Sequence, residues 1–318
     1  MAPKVTVVID NHNYGRFLPQ ALDSIIAQGF DKSEVEILVV DDGSTDDSRD
    51  ILASYAPRVT ALLQERQGQA TAFNNGFAAA KGDIICLLDS DDVFLPGKLK
   101  AVLAAFEDPK VGCVQHFLHD TDGKLVPLPR RFPSWPPRYR IDDLLGGRME
   151  LTATSGLSFR REILARCLPI PKDLFYYLDD FLTVRSLFFG EVANIPMVFG
   201  LHRVHGGNWC AGGYEDPRKI ERDFIDRSNF GAHRDRWLSE AGLTRTQEAL
   251  DTDRLEVWRR RLLLEALRAR PLEAARVWLD GMRDLPAGRH ARFRAATLAI
   301  AVASPSLYLA LYSQYSMP

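Results

Sequence analysis

The feature that most restricts the fold of this sequence is a strand followed by a helix, repeated four times in the first third of the chain. Short apolar runs rich in β-branched residues occupy residues 5–9, 37–40, 59–63 and 84–88. After each run, apolar residues return at helical spacing, as they do over 69–80. Strands and helices that alternate in this way imply right-handed crossovers and a mostly parallel sheet covered by helices. The pattern predicts an α/β fold of the nucleotide-binding type.

The remainder of the chain predicts a less regular half and a helical end. Residues 118–140 are rich in proline, arginine and aromatic side chains, which indicates a long surface loop. The pattern then predicts a strand over 151–160, a helix over 173–190 and another strand with an irregular tail over 192–210. Beyond about residue 217 the chain is rich in Ala, Leu and Arg and predicts helices.

These patterns predict two domains. We expect an α/β domain at 1–215, with a first half at 1–110 and a second half at 111–215, and a helical region at 216–318.

Aspartates cluster where three of the predicted strands end. The carboxyl ends of neighbouring parallel strands share one edge of a sheet, where open α/β sheets bind their ligands. A carboxylate directly after a buried strand is costly without a counter-ion, so the gathered acids predict a shared cation. The acids are Asp10, Asp41, Asp42, Asp89, Asp91 and Asp92.

Asp89 and Asp91 form an Asp-x-Asp turn after the fourth strand. Two carboxylates on one turn can present oxygen atoms to a hard divalent cation, while phosphates and water complete its coordination. We therefore expect Mg²⁺ or Mn²⁺. The alternative is that Asp91 or Asp92 caps the next helix, and that Asp41 and Asp42 belong to an ordinary strand-to-helix turn.

Four segments resemble, in order and spacing, the motifs of glycosyltransferase family 2, whose members have the GT-A fold. The resemblance covers residues 4–210, is most specific over 4–100, and departs from the family at Asp10, where many relatives carry proline. It implies that a sugar passes from a nucleotide diphosphate sugar, most often a UDP-sugar, to an acceptor hydroxyl. Residues 1–215 would then be a catalytic domain, with a nucleotide-sugar-binding half at 1–110 and an acceptor-side half at 111–215. The segments read VTVVI with Asn13 and Tyr14, VVDDGSTD at 39–46, GQA at 68–70 with NNG at 74–76, and LLDSDD at 87–92.

The resemblance assigns roles by position. Asp42 would hydrogen-bond the base, and Arg66 would lie at the edge of the nucleoside. Asp91 would be the principal metal ligand and bridge through the cation to the diphosphate. The other implied nucleotide contacts are Asp10, Asn13, Asp89 and Ser90, with Asp89 beside the ribose and the metal.

The segment LDDFL at 178–182 resembles the acidic pair of the family. By position, Asp180 would be the general base that takes the acceptor proton, with Asp179 as the second choice. If an aspartate acts in this way while the hydroxyl attacks opposite the leaving diphosphate, a single displacement with inversion is predicted. The alternative is a pair of acids that simply stabilise a helix N-terminus.

The segment HRVHGGN at 202–208 resembles one found near the end of the catalytic domain in many bacterial members. It would bring His205 to the metal or the diphosphate, although a structural histidine is the alternative. Ser155 and Gly156 are small enough to leave room for a sugar on the acceptor side, where a plain strand is the alternative. The implied sugar contacts are Asp92, Ser155, Gly156 and Arg203.

Charge is unevenly distributed, although the formal net charge is only −2. Residues 1–92 hold 7 basic and 15 acidic residues, which argues against nucleic-acid binding there unless a divalent cation intervenes. Residues 254–294 hold 11 arginines against 5 acids. This run predicts either the solvated face of helices or a surface that meets anionic lipid. The apolar stretch at 295–312, interrupted by proline, favours peripheral docking over a membrane crossing.

The chain start and the cysteines bear on location. No signal-peptide pattern follows Met1, and the cysteines are too widely spaced for a zinc cluster or a dense disulfide framework. We therefore expect a cytoplasmic protein that can meet the inner face of the membrane, with a glycan or glycolipid of the cell surface as acceptor. The cysteines are Cys86, Cys113, Cys167 and Cys210.

Three other classes of function fit the sequence less well than this prediction. A non-catalytic sugar-nucleotide-binding relative is disfavoured by the presence of Asp91 and Asp180. A sugar nucleotidyltransferase would carry a glycine-rich basic loop after the first strand, whereas residues 10–15 contain one glycine. A dinucleotide oxidoreductase is disfavoured because no G-x-G-x-x-G follows that strand.

Overall fold

A computed structural model of the protein describes residues 3–208, 216–284, 299–300, 303–304 and 307. Within these residues, nine strands belong to one sheet. They are β1 (Val5–Asn11), β2 (Val35–Asp42), β3 (Thr60–Gln64), β4 (Ile84–Asp89), β5 (Val93–Phe94), β6 (Val111–Thr121), β7 (Arg138–Tyr139), β8 (Leu157–Arg160) and β9 (Glu191–Arg203). The helices are α1 (Leu18–Ile26), α2 (Ser48–Ser54), α3 (Gln69–Ala79), α4 (Lys98–Ala105), α5 (Ile141–Leu145), α6 (Arg161–Cys167), α7 (Leu178–Ser186), α8 (Pro217–Glu240), α9 (Gln247–Leu267) and α10 (Pro271–Asp284), with a 3₁₀ turn at Thr154–Gly156.

The first four long strands are parallel, in the order β3-β2-β1-β4. The side chains of β1, β2 and β4 are almost entirely buried, whereas those of β3 are exposed or half-buried. Leu18, Leu22 and Ile25 of α1 pack into the core that these strands form. Burying one such side chain stabilises the fold by roughly 1.5–3 kcal/mol. The α/β prediction and the predicted C-terminal helices are confirmed.

The register of these strands brings polar residues together at one edge. Asp10 of β1 lies opposite Asp89 of β4, and Asn11 lies opposite Asp41 of β2. Residues in register on neighbouring parallel strands point to the same face. The side chains of Asp10 and Asp89 are therefore neighbours at the carboxyl edge.

The second half of the sheet is mixed. Strand β8 pairs antiparallel with both β4 and β6, and β6 pairs parallel with β9. The short strands β5 and β7 pair antiparallel with β9. The consecutive parallel order thus belongs to strands β1 to β4. Strands β5 to β9 form the mixed part of the sheet.

Strand β6 is the longest of the elements that the sequence pattern did not predict. It ends at Thr121, inside the loop that the pattern predicted. Gln115 and His116 are fully buried in its middle. These polar side chains break the apolar run, so the strand lacks the composition that marks β1 and β4. Gln115 satisfies its amide by donating to the Asn194 side chain at 2.9 Å and to the Glu150 carbonyl at 3.1 Å.

The helices of the acceptor-side half also differ from the pattern. The strand predicted over 151–160 contributes only β8, which follows the 3₁₀ turn, and α6 begins directly after it. The helix predicted over 173–190 is shorter, because α7 begins at Leu178 and ends at Ser186.

In the first half of the chain, α2 begins at Ser48, whose N–H donates to the Asp46 carboxylate at 3.0 Å.

The chain divides into two compact units. The first contains 1–141 and 149–205, and the second contains the described residues of 142–148 and 206–318. The division falls at residue 205, whereas the sequence pattern placed it at 215. Helices α8, α9 and α10 form the second unit around a core that includes Ile220, Leu262, Leu263, Ala274 and Val277.

Arginines of α9 are largely paired with acids of the same unit. Arg260 is buried and bonds Asp223 and Glu256, and Arg259 lies 2.8 Å from Glu256. Arg268 pairs with Glu221. This pairing favours the helix-face interpretation of the basic run for the arginines that the structure describes. Most of the apolar stretch at 295–312 and Cys210 lie outside the described residues.

Across the described parts of the chain, no helix combines the length and the apolar character that a bilayer crossing requires. The three described cysteines, Cys86, Cys113 and Cys167, are free thiols in buried positions.

Candidate active site

Carboxylates from β1 and β4 gather at the carboxyl edge of the parallel strands. Burial raises the pKa of Asp10 to about 7; the nearby Asp91 adds to this rise, and a hydrogen bond with Gln69 opposes it. Burial also raises the pKa of Asp89 well above its usual value, and Asp10 adds to that rise. Each rise means that a second negative charge is unfavourable in this low-dielectric pocket. A bound cation would therefore stabilise the ionised form of these carboxylates.

Asp91 lies in the turn after β4 and contacts His205, which follows β9. The Nε2 atom of His205 is 3.0 Å from Oδ2 of Asp91. The imidazole ring packs against Phe17, with ring centroids 4.8 Å apart, and against Tyr14 at 5.6 Å. Burial raises the pKa of Asp91 to about 6, Asp92 adds to the rise, and the His205 hydrogen bond opposes it. The structure thus brings together the two residues predicted as metal ligands.

The residues at this edge fit a divalent cation. Oδ1 of Asp89 is buried and has no hydrogen-bond partner, so an acceptor-only oxygen faces a site without a donor. Among the described residues, no group of three or more His, Cys, Asp or Glu side chains is arranged to hold a metal by itself. Mg²⁺ commonly takes one or two protein carboxylates and completes its shell with phosphates and water. Asp89, Asp91 and His205 would therefore hold the cation together with a ligand.

The predicted sugar contacts lie beneath this turn. Asp92 is fully buried; its Oδ2 accepts from the Ser155 hydroxyl at 2.6 Å, and its Oδ1 accepts from the Arg203 N–H at 2.8 Å. The Arg203 side chain is also buried and donates to the Asp91 carbonyl at 2.7 Å. A Cβ on Gly156 would lie 2.6 Å from the Thr152 side chain. The polar atoms of Asp92, Ser155 and Arg203 are thus paired inside the protein, and contact of these residues with a sugar stays a prediction.

Lys98 and His116 are buried functional-group residues that the pattern did not mark. Nζ of Lys98 donates to the Ser155 carbonyl at 2.7 Å and lies 3.4 Å from the ring centroid of Phe94. Burial lowers the pKa of Lys98 to about 7 and lowers that of His116 well below its usual value. Helical spacing could have marked Lys98, because it lies one turn before the buried Val102.

The predicted base-binding residues surround the turn after β2. Asp42 accepts from Nε2 of Gln64, from the N–H of Gln67 and from the N–H of Gly68, each at 2.7 Å. Its carboxylate thereby holds the 64–68 loop. Arg66 is exposed in this loop, and its backbone approaches Gly43 so closely that a Cβ there would lie 2.7 Å away.

Asn13 and Asp41 hold the neighbouring loop. Oδ1 of Asn13 accepts from the N–H of Thr45 at 2.7 Å, and Asn13 itself adopts a left-handed backbone with φ of 59°. Asp41 is fully buried and accepts from Asn11, from Arg49 and from the N–H of Ser44. The turn interpretation therefore accounts for Asp41. Ser90 is also buried, within the turn that carries Asp91.

The acidic pair lies in the first turn of α7. Asp179 accepts a hydrogen bond from the N–H of Asp180 at 2.9 Å. Burial raises the pKa of Asp179 to about 7, and the adjacent Asp180 adds to the rise. A carboxyl group with this pKa can take a proton near neutral pH.

His202 of β9 and Asp120 of β6 form a charged pair that the sequence pattern did not predict. Nδ1 of His202 is 2.9 Å from Oδ1 of Asp120, to which Arg130 also donates at 2.6 Å. Burial acts to lower the pKa of His202, but the hydrogen bond to Asp120 and the charge of Asp92 raise it to about 9. The imidazolium therefore supplies positive charge near the acidic turn.

The sheet with its carboxyl-edge acids and flanking helices defines a GT-A glycosyltransferase fold, as the solved structures it resembles also do. TarS residues 1–349 of Staphylococcus aureus, solved with UDP-GlcNAc, match at a TM-score of 0.56 and 19% identity, over 90% of this chain and 93% of that one. The mannosyltransferase PcManGT of Pyrobaculum calidifontis, solved with GDP-Man and Mn²⁺, matches at 0.58 and 20% identity, over 96% and 88%. Of a longer TarS chain, this protein spans 43%.

Sequence comparison gives the family. The profile of glycosyl transferase family 2 matches residues 6–168. An uncharacterized glycosyltransferase of Nostoc sp., alr2836, is 34% identical over 257 residues, which cover 73% of this chain and 79% of the relative. The protein belongs to glycosyltransferase family 2, and the predicted resemblance is confirmed.

Proposed function

We propose that this protein transfers a sugar from a nucleoside diphosphate donor, with UDP-sugars first, to an acceptor hydroxyl with inversion at the anomeric carbon. The observation that carries the proposal is the buried cluster of Asp10, Asp89 and Asp91, whose pKa values are all raised by burial, beside His205. Repelling carboxylates in a buried pocket favour a bound cation and an anionic ligand that the cation can bridge. The named ligands of TarS and PcManGT, UDP-GlcNAc and GDP-Man, support a donor of this class.

Mg²⁺ or Mn²⁺ bound here would offset the repulsion between the pocket and the diphosphate and stabilise negative charge on the departing phosphate. Asp91 and His205 would hold it, with Asp89 directed to the ribose and the metal. Asp42 and Arg66 would lie at the base. In this proposal Asp92 and Arg203 keep the turn in place.

The acceptor proton would go to the acidic pair of α7. The acceptor oxygen forms a bond to the anomeric carbon as the bond from that carbon to the diphosphate oxygen breaks. The hydroxyl proton passes to Asp180, the first choice, or to Asp179. One displacement on the face opposite the leaving group inverts the configuration, so no covalent enzyme intermediate is needed.

A glycan or glycolipid of the cell surface is the acceptor class that we propose, with peripheral contact between the second unit and an anionic membrane. Leu272 and Leu279 of α10 support this contact, because they are 85% and 52% exposed and lie two helical turns apart. Co-sedimentation with neutral and anionic vesicles tests it. Equal binding to both, or binding to neither, contradicts the membrane contact.

Calorimetric titration tests the donor class. UDP, GDP and dTDP would be titrated into the protein with and without Mn²⁺, and again into Asp91→Ala. Manganese-dependent binding of one nucleotide, lost in the variant, supports the proposal and directs a screen of its sugars. The absence of binding by all three contradicts it, and nucleotide binding without transfer to any acceptor favours the non-catalytic alternative.

A further inference from the structure

We propose that Phe17 and Tyr14, in the turn that precedes α1, form an aromatic seat that holds His205 in position to bind the cation beside Asp91. Phe17 is thereby a positioning residue, because it acts on the cation through the imidazole of His205. The inference rests on the proposed function, since it concerns how one ligand of that cation is held. It goes beyond that function because neither ring has been given a part in donor or acceptor binding.

The imidazole of His205 is enclosed by ring contacts, and its side chain is only 8% exposed. Its ring centroid lies 4.8 Å from that of Phe17, with 32° between the planes, and 5.6 Å from that of Tyr14. Aromatic rings at such distances attract one another beyond the burial of their surface. Rotation of the imidazole would break these contacts together with the 3.0 Å contact between Nε2 and Asp91. The two rings therefore favour the conformation in which Nε2 faces Asp91.

The aromatic seat is anchored in the core of the first unit. The carbonyl of Tyr14 accepts from the N–H groups of Phe17 and Leu18, at 2.9 and 3.2 Å. Phe17 is 8% exposed, and Leu18, which follows it, is fully buried in the core that the parallel strands form. Rings on a hydrogen-bonded turn of this kind cannot separate without disturbing close-packed side chains. The seat therefore has its position before a cation binds.

The chain that carries His205 is held by the neighbouring strand β6. The N–H of Val204 donates to the carbonyl of Thr121 at 2.8 Å, and Arg203 is in register with Thr121. With the chain fixed as far as Val204, the remaining freedom lies in the torsions of His205 itself. Contacts that restrict a metal-binding imidazole to its productive orientation raise its affinity for the metal. The seat should therefore act on cation affinity.

Arg203 joins α1 to the turn of Asp91. Its guanidinium carbon lies 4.6 Å from the ring centroid of Phe17, and its Nη2 donates to Oε1 of Gln20 at 2.6 Å. Its Nε donates to the carbonyl of Asp91 at 2.7 Å. These two hydrogen bonds do not involve the ring of Phe17, so we expect Arg203 to keep its place when that ring is replaced. An effect of Phe17 on the cation should therefore pass through His205.

The first test measures the Kd, in the presence of Mn²⁺, of whichever of UDP, GDP and dTDP the wild-type protein binds. We expect Phe17→Leu to raise this Kd by about three- to tenfold, the factor that one aromatic pair contributes. Phe17→Tyr keeps a ring at the same place and should stay within about twofold of wild type. In a protein that already carries His205→Ala, Phe17→Leu should change the Kd by less than about twofold. Multiplication of the two effects would overturn the inference.

Phe106→Leu is the matched control for lost core packing. Phe106 ends α4 and is 6% exposed, and the guanidinium carbon of Arg160 lies 5.4 Å from its ring centroid. Both leucine variants should lower the thermal midpoint, because each removes part of a buried ring. Only Phe17→Leu should weaken nucleotide binding. An equal rise of the Kd in the two variants would overturn the inference.

A second readout requires neither nucleotide binding nor turnover, so it separates this inference from the proposed function. In protein with ¹³C-labelled histidine and phenylalanine, we expect a nuclear Overhauser effect between the rings of His205 and Phe17, with His205→Ala identifying the signals. Mn²⁺ alone should broaden the His205 signals at lower concentration in the wild-type protein than in Phe17→Leu.

If the wild-type protein binds none of the three nucleotides, the proposed function fails, and the spectra still decide the inference. It is supported if the Overhauser effect is present and Mn²⁺ broadens the wild-type His205 signals first. Absence of the Overhauser effect would overturn it. The same holds if Mn²⁺ broadens the His205 signals to the same extent, or not at all, in both proteins.

Discussion

Buried acids have opposite surroundings in the two units: they lie close to one another in the first, and they pair with arginines in the second. At the carboxyl edge of the first unit, burial raises the pKa of Asp10, Asp89 and Asp91, and the opposing contacts of Gln69 with Asp10 and of His205 with Asp91 do not outweigh it. In the second unit, burial also acts to raise the pKa of Asp253, but Arg245 and Arg234 outweigh it and lower the pKa. Paired charge stabilises a helical bundle, whereas gathered like charge indicates a place for a ligand.

Removal of Asp91 tests this comparison most strongly. We expect Asp91→Ala to abolish manganese-dependent nucleotide binding and to lower the transfer rate by about 10²–10³-fold, because the principal cation ligand is lost. The thermal midpoint should stay level or rise, since a repelling charge is removed. An unchanged nucleotide Kd in calorimetry would contradict the ligand-site interpretation of the cluster.

Removal of Asp253 should have the opposite consequence. Asp253 lies 2.8 Å from Arg234 and 2.5 Å from Arg245, whose side chains are only 11% and 6% exposed. Asp253→Ala removes the acid that the two arginines share and leaves Arg234 with Asp235 at 2.9 Å, so the free energy of unfolding should fall by about 3 kcal/mol. Urea denaturation measures this, with nucleotide Kd unchanged. A loss below about 1 kcal/mol would mean that the pairing is not stabilising.

Lys98 gives a pH-dependent test within the first unit. Its pKa is lowered by burial to about 7 from 10.5, so between these values the unfolded chain binds a proton that the folded chain does not. Lys98 should therefore contribute a rise of about 1.6 kcal/mol in the free energy of unfolding between pH 7 and 8.5. His202, whose pKa is raised to about 9, contributes the opposite slope over this window. The test is therefore the difference between wild type and Lys98→Met, which should change by the Lys98 contribution between the two pH values. The window ends below pH 9 because the buried Cys86, whose pKa is raised, contributes the opposite slope above it.

An exposed pair in the second unit should show the smallest effect. Arg254 is 68% exposed and lies 3.6 Å from Asp251. We expect Arg254→Ala to change the free energy of unfolding by less than about 0.5 kcal/mol, because solvent screens such a pair. It is also the control for Asp253→Ala, and an equal loss in both variants would remove the distinction between buried and exposed pairs.

The sequence predicted the parallel half of the fold because apolar runs and strand-end acids are local signals. Asp89 and Asp91 could be found in this way, and so could His205 through its motif. Ser155 was identified as a sugar contact, but its hydrogen bond to Asp92 could not be predicted, because the two residues lie 63 positions apart. Strand β6 escaped prediction because Gln115 and His116 are buried polar residues whose environment is created only by the folded sheet.

The three hydrogen bonds that Asp42 accepts have a consequence for base selection. An ionised carboxylate has about four lone-pair positions, so one remains open. Uracil and thymine present a single imide N–H and can use that vacancy without disturbing the 64–68 loop. Guanine presents two adjacent donors, but only one lone-pair position remains. Binding of both donors would therefore require the loop to release Gln67 or Gly68. If Asp42 contacts the base as proposed, counting lone pairs ranks uracil and thymine nucleotides ahead of guanine nucleotides.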